Sequence, residues 1–265
     1  MSSIEDQTRV FLWTAPRCIS TAFQRAIINL YNGKIFHEPF SQFYYFAPNR
    51  KSDRYRNIPD QLDGTLDAIS KSLSAKHEGK KFVFSKDMAY YLKDNFEILR
   101  QKGLRNFKHS FLIRNPKKAV PSLYHASINS KKTGWDYFDP QEAGFRELLD
   151  LYEFVVKELD QSPIVVDADD LLENPEAMLK KYCDASGLEY MENMTSWEPG
   201  VAIPEWNLWT GWHDAVAKSS GIKKKDKMTS SKEKESDEID EILSCVNESL
   251  KCYEVLYEKR LRLDS

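Results

Sequence analysis

The chain has 265 residues, 41% of them hydrophobic and 30% charged, with a formal net charge of −3. That is ordinary globular composition without the global basic field that would recommend nucleic acid as a partner. The four cysteines (Cys18, Cys183, Cys245, Cys252) show neither a CxxC pair nor zinc spacing, no apolar run suits a bilayer, and the start, MSSIEDQTRV, lacks an apolar signal core. The expectation is a single domain over 1–265, cytoplasmic, with no membrane association.

In chain order, apolar runs predict strands at Val10–Thr14, Lys34–His37, Phe82–Ser85, Ser110–Arg114 and Ile164–Asp167. Helical patterns fall between them at Thr21–Tyr31, Leu62–Ser74, Leu92–Gln101, Lys117–Asn129 and Gln141–Leu159. Continuous apolar strands separated by helices imply an α/β fold of three layers, a central parallel β-sheet flanked by helices. Residues 223–236 read as a charged, solvated loop. A last amphipathic helix is expected over about 237–260, with Ile239, Ile242, Leu243, Val246, Leu250, Tyr253 and Leu256 on its apolar stripe.

Two strand–turn–helix junctions carry chemistry. In RVFLWTAPRCISTAF, residues 9–23, the turn brings Arg17, Ser20 and Thr21 to the N-terminus of a helix, where backbone N–H groups and the dipole favour an anion. Ser20 is the expected N-cap. The loop is no Walker A motif, since GxxxxGK[ST] is absent. In SFLIRNPKKAVPSLYHA, residues 110–126, Arg114 ends a strand, Pro116 suits the first turn of a helix, and Ser122 follows two turns on. The carboxyl edge of such a sheet is where ligands bind.

Together these stretches resemble the sulfotransferases that use 3′-phosphoadenosine 5′-phosphosulfate (PAPS). APRCISTAF is similar to that family's 5′-phosphosulfate loop, and Arg114-Asn115-Pro116 with Ser122 resembles its 3′-phosphate motif. The resemblance implies a P-loop-type domain in which Arg17, Cys18, Ser20 and Thr21 hold the 5′-phosphosulfate, Arg114 and Ser122 hold the 3′-phosphate, and no metal is required. Ile19 stands where the family usually has glycine, so either the loop bends differently or that position needs no positive φ.

Sulfuryl transfer requires a base for the acceptor and a cation near the leaving oxygen. In KIFHEPFSQFYYF, residues 34–46, Glu38 resembles the glutamate of the Glu-Pro pair in carbohydrate sulfotransferases, with His37 as the rival base. As strand neighbours, the two are expected to face opposite ways. FVFSKDMAYYL, residues 82–92, is similar to the strand ending in K-T-H of cytosolic sulfotransferases: Lys86 matches the lysine, but Met88 replaces the base. Lys86 then contacts the sulfuryl group or lines the acceptor site, and Asp87 is a candidate to bond the acceptor or to assist as a second carboxylate.

The expected acceptor is a small molecule. Phe43, Tyr44, Tyr45 and Phe46, with Trp197, Trp206, Trp209 and Trp212, read either as core or as a stacking surface for it. GWHDAVAKSSGIKKK, residues 211–225, is a candidate cover for the adenine or 3′-phosphate, with Lys223, Lys224 and Lys225 as a basic run. Two other functions share these features: a P-loop kinase or NTPase, with Asp167 or Asp169 as the magnesium carboxylate, and an inactive nucleotide-binding protein on the same fold.

Overall fold

A computed structural model describes residues 7–209, 211–223 and 236–263. Five parallel strands, β1 (Thr8–Thr14), β2 (Gly33–His37), β3 (Phe82–Met88), β4 (Lys108–Ile113) and β5 (Ile164–Asp167), form one sheet in the order β2-β3-β1-β4-β5. The order reverses about β1, so the loops leaving β1, β3 and β4 converge on one carboxyl edge.

Helices cover both faces. The chain continues from β1 into α1 (Ser20–Ile28), and from β2 into α2 (Ser41–Phe46) and α3 (Leu66–Ser74); α4 (Lys102–Arg105) precedes β4. After β4 come α5 (Pro116–Ser127), α6 (Ser130–Thr133) and α7 (Phe145–Glu158), and after β5 come α8 (Ala168–Glu173), α9 (Pro175–Ser186), α10 (Asp214–Ala217) and α11 (Ser236–Tyr257). Phe11 and Trp13 point to one face, stacking with Phe107, Phe40 and His109, and the Trp13 indole donates to His109 Nδ1 at 2.9 Å. On the other face Tyr182 of α9 meets Phe23 of α1 edge-on and shares a 2.9 Å hydrogen bond with Ser110. Both faces of β1 are thereby buried, which explains its unbroken apolar run.

Several boundaries depart from the sequence reading. Where one helix is expected at Leu92–Gln101, the backbone makes 3-10 turns at Ala89–Leu92 and Phe96–Arg100, with Asp94 left-handed between them (φ 62°). The helix expected from Leu62 starts at Leu66, because Thr65 accepts from the Ala68 N–H and caps it. Gly144, with φ 68°, separates the 3-10 turn Pro140–Ala143 from α7, so the Gln141–Leu159 helix begins four residues late. On α11, Val246, Tyr253 and Leu256 are buried, but Leu243 is half exposed and belongs to the outer face; the Ile239 side chain, Lys224, Lys225 and most of the charged loop lie outside the described residues. All four cysteines are free and buried. No helix among the described residues is long and apolar enough to cross a membrane.

Candidate active site

The turn between β1 and α1 is left-handed at two non-glycine residues, Arg17 (φ 64°) and Ile19 (φ 59°). Ile19 therefore adopts the conformation its β-branched side chain disfavours, and it, not Ser20, is the N-cap of α1, without a side-chain cap. The turn leads directly into the helix N-terminus, whose free N–H groups and dipole favour an anion. Strain of this kind persists where the surroundings over-determine it, and it clusters at functional sites. The Cys18 side chain is fully buried beneath the turn, and burial pushes its thiol up to about 12, leaving only its backbone for any ligand. Ser20 is also buried.

The two halves read from sequence meet here. Arg17 Nε donates to Ser122 Oγ at 3.1 Å, and Arg114 Nη1 donates to the Arg17 carbonyl at 2.7 Å. Asn115 caps α5 by accepting from the Lys117 N–H, with Pro116 in the first turn, which fixes Arg114 just past β4. Neither Arg17 nor Arg114 pairs with a carboxylate among the described residues. Burial and the neighbouring Arg114 push the Arg17 guanidinium down, and Arg114 Nε is buried without a partner. Two adjoining cations with unspent donors beside an uncapped helix have the chemistry to meet a polyanion.

Glu38 is also left-handed (φ 52°). Its N–H extends the ladder to the Lys86 carbonyl at 2.7 Å; then the chain turns, and the Ser41 N–H closes onto the Glu38 carbonyl at 3.0 Å. Asp87 braces this turn by accepting the Phe40 N–H at 3.1 Å; it is fully buried, and desolvation pushes its carboxyl well above the usual range. The Glu38 side chain, 5% exposed, pairs with the wholly buried Lys86 ammonium through Oε1 and accepts from Tyr91 through Oε2 at 2.9 Å. Since Glu38 leaves the strand at a positive φ, His37 and Glu38 do not face apart as strand alternation predicts: His37 Nε2 lies 3.6 Å from Glu38 Oε1.

His37 belongs to a chain of polar contacts that ends at the anion loop. Gln24 of α1 donates its amide to the Phe36 carbonyl at 3.0 Å and presents its oxygen to His37 Nδ1 at 2.6 Å and to the Trp206 indole N–H at 3.1 Å. His37 Nε2 meets His213 Nε2 at 3.1 Å, and His213 Nδ1 meets Thr21 Oγ1 at 3.2 Å. Burial and Lys86 push His37 well below its ordinary value; burial, Lys86 and Arg17 push His213 down to about 3. The 3.6 Å contact between His37 and Glu38 is therefore no ion pair.

Neither Gln24, Tyr91 nor His213 was marked from sequence; the signal for His213 lay in the Trp-His pair of GWHDA. Residues 211–217 cover the Arg17 side of the site: Arg17 lies over the Trp212 ring at 5.9 Å and donates to the Trp212 carbonyl at 3.5 Å. Lys223 is exposed beside Ser220. The aromatics mostly pack: Tyr45 and Phe46 are buried against Tyr55 and Trp209, and Trp135 meets Trp212 edge-on at 4.6 Å. Asp167 caps α8, accepting from the Asp169 and Asp170 N–H groups and from Tyr253, while Asp169 pairs with Lys118. Both carboxylates considered for magnesium are thus engaged in holding structure.

The sequence matches a family model described as a sulfotransferase domain over residues 8–239, and the chain belongs to that family. It is similar to branched-chain-amino-acid aminotransferase-like protein 2 of Arabidopsis thaliana, 27% identical over 218 residues covering 80% of this chain and 36% of that protein. It is also similar to sulfotransferase ppzF of Metarhizium majus, 28% identical over 196 residues, 64% of this chain and 57% of that one. The chain thus spans just over a third of the plant relative's length. Among solved structures, a sulfotransferase from Alicyclobacillus acidocaldarius aligns with a TM-score of 0.56 at 12% identity over 96% of this chain and 97% of that one. The sulfotransferase domain from the curacin biosynthetic pathway aligns at 0.50, 12% identical, over 82% and 87%. At such identity these structures establish the shared α/β fold alone.

Proposed function

We propose that this member of the sulfotransferase family moves a sulfuryl group from PAPS to a hydroxyl or amine of a small-molecule acceptor, with Glu38 as general base. One observation carries the reading: Arg17 and Arg114, two adjoining guanidinium groups without carboxylate partners among the described residues, meet at the left-handed loop at the carboxyl edge of the sheet. The donor supplies the sulfuryl group and leaves as adenosine 3′,5′-bisphosphate.

The chain's own residues divide the work. Arg17, Thr21 and the backbone of 17–21 receive the 5′ end; Arg114 and Ser122 receive the 3′-phosphate. Glu38 takes the acceptor's proton through a lone pair that Lys86 and Tyr91 leave free, since each carboxylate oxygen accepts more than one hydrogen bond. Lys86 pairs with Glu38 and brings a cation to the same edge as the anion loop. A positioned base of this kind contributes about 10²–10⁴ in rate. Against magnesium-dependent phosphoryl transfer stands the use of Asp167 as a helix cap.

The test is calorimetric titration with adenosine 3′,5′-bisphosphate, with ATP and ADP plus magnesium as controls, on the wild type and on Arg114→Ala. Metal-independent binding that the substitution weakens is expected, followed by an acceptor screen with Glu38→Gln as the inactive control. A preference for magnesium nucleotides would overturn the reading in favour of a kinase. Binding without turnover of any acceptor would favour an inactive nucleotide-binding protein.

A further inference from the structure

The polar chain from Thr21 to Gln24 has a single consistent direction. Gln24 Oε1 can only accept, so His37 Nδ1 carries a proton. A second proton on His37 would place a buried imidazolium next to the Lys86 ammonium, so the ring is neutral and Nε2 is an acceptor. His213 Nε2 is then the donor of their 3.1 Å contact, and His213 Nδ1, bare, accepts from the Thr21 hydroxyl. The order is Thr21 to His213 to His37 to Gln24 to the Phe36 carbonyl.

We infer that His213 is a positioning residue for Glu38: by donating to His37 Nε2 it keeps that imidazole uncharged and its lone pair occupied, leaving Glu38 to take the acceptor's proton. This rests on Glu38 as the base. Without the donor, His37 Nε2 would present a bare lone pair 3.6 Å from Glu38 Oε1, two acceptors face to face. A proton captured between them would satisfy both, and the resulting imidazolium would compete with the acceptor for the carboxylate. Among the described residues, the charged and titratable groups facing His37 are Glu38 from the turn that follows its strand, Lys86 from β3 and His213 from the covering segment; Gln24 and Trp206 add uncharged contacts. Lys86 opposes protonation of His37 and Glu38 favours it, so the neutral His213 donor decides the balance. The same residue reaches the anion loop through Thr21, whose single proton serves either His213 or a bound anion.

The experiment is long-range proton–nitrogen NMR of the ¹⁵N-labelled full chain, whose five histidines allow His37 to be assigned with His37→Gln. Wild-type His37 is expected to show a protonated Nδ1 and a bare Nε2, unchanged between about pH 5 and 8. His213→Ala is expected to bring a His37 titration into that window, and His213→Gln, whose side-chain amide can donate, to remove it. A wild-type His37 that carries its proton on Nε2 or titrates in the window overturns the inference without any variant. A silent His37 in a folded His213→Ala overturns it as well. Neither result bears on donor binding: failure of adenosine 3′,5′-bisphosphate to bind would defeat the proposed function and leave the histidine tautomers as measured.

Discussion

Glu38–Lys86 and Glu142–Arg54 are two buried carboxylate–cation pairs with the same outline. Each carboxylate is at most 5% exposed, and each also accepts from a tyrosine, Tyr91 in one case and Tyr45 in the other. Their surroundings differ. Arg54 is held between the Trp135 and Tyr137 rings at 3.7 and 4.0 Å, and Glu142 sits in a 3-10 turn with no left-handed φ. Glu38 sits on a left-handed turn at the sheet's carboxyl edge, and a polar chain links its neighbour His37 to the anion loop. Burial of an ion pair does not by itself mark chemistry; what sets the Glu38 pair apart is its strained backbone and its link to the left-handed turn after β1.

The comparison can be broken most directly at the carboxylates. Glu38→Gln is expected to lower turnover by about 10²–10⁴ while adenosine 3′,5′-bisphosphate affinity stays close to wild type. Equal loss in Glu142→Gln would erase the distinction. Arg54→Met, which strands Glu142 as a buried charge, is expected to cost about 3–5 kcal/mol in denaturant unfolding and to leave nucleotide affinity alone. Arg114→Ala should weaken adenosine 3′,5′-bisphosphate by about 1.5–3 kcal/mol, the worth of a charged hydrogen bond, with little change in melting temperature. The smallest effect belongs to Ile19→Gly: relief of about 1–3 kcal/mol of left-handed strain opposes the lost packing of a half-buried side chain and the added freedom of the unfolded chain. Its net stability change should stay within about 1 kcal/mol, and a much larger loss would mean that Ile19 is not strained.

The sheet was legible because parallel strands are buried on both faces, so VFLWT and IVVD stand out against the polar chain. The two strand–turn–helix junctions, at 14–20 and at Arg114-Asn115-Pro116, were legible as bends because their residues are local in sequence and lie at strand ends. What escaped is carried by distance along the chain. His213 reaches Thr21 across 192 positions, and Trp206 reaches Gln24 across 182, contacts no periodicity encodes. The left-handed Ile19 and Glu38 escaped for a different reason: side-chain type argues against that backbone, and only the packed surroundings impose it. Helices α8 and α9 carried their own local marks, since Asn174 caps α9, Pro175 opens it and Gly187 closes it. Apolar runs alone pass over such caps.

The burial of every cysteine has a practical corollary. Cys18 lies under the anion loop, Cys183 in α9, and Cys245 and Cys252 one above the other on α11. Burial lifts the first two thiols to about 12 and Cys245 to about 11, and only a thiolate attacks an alkylating reagent. Each sulfur therefore reacts only when its own part of the chain opens. Mass-resolved alkylation would read these as clocks set in different places, timing separately the opening of the loop, of α9 and of the C-terminal helix within one native molecule.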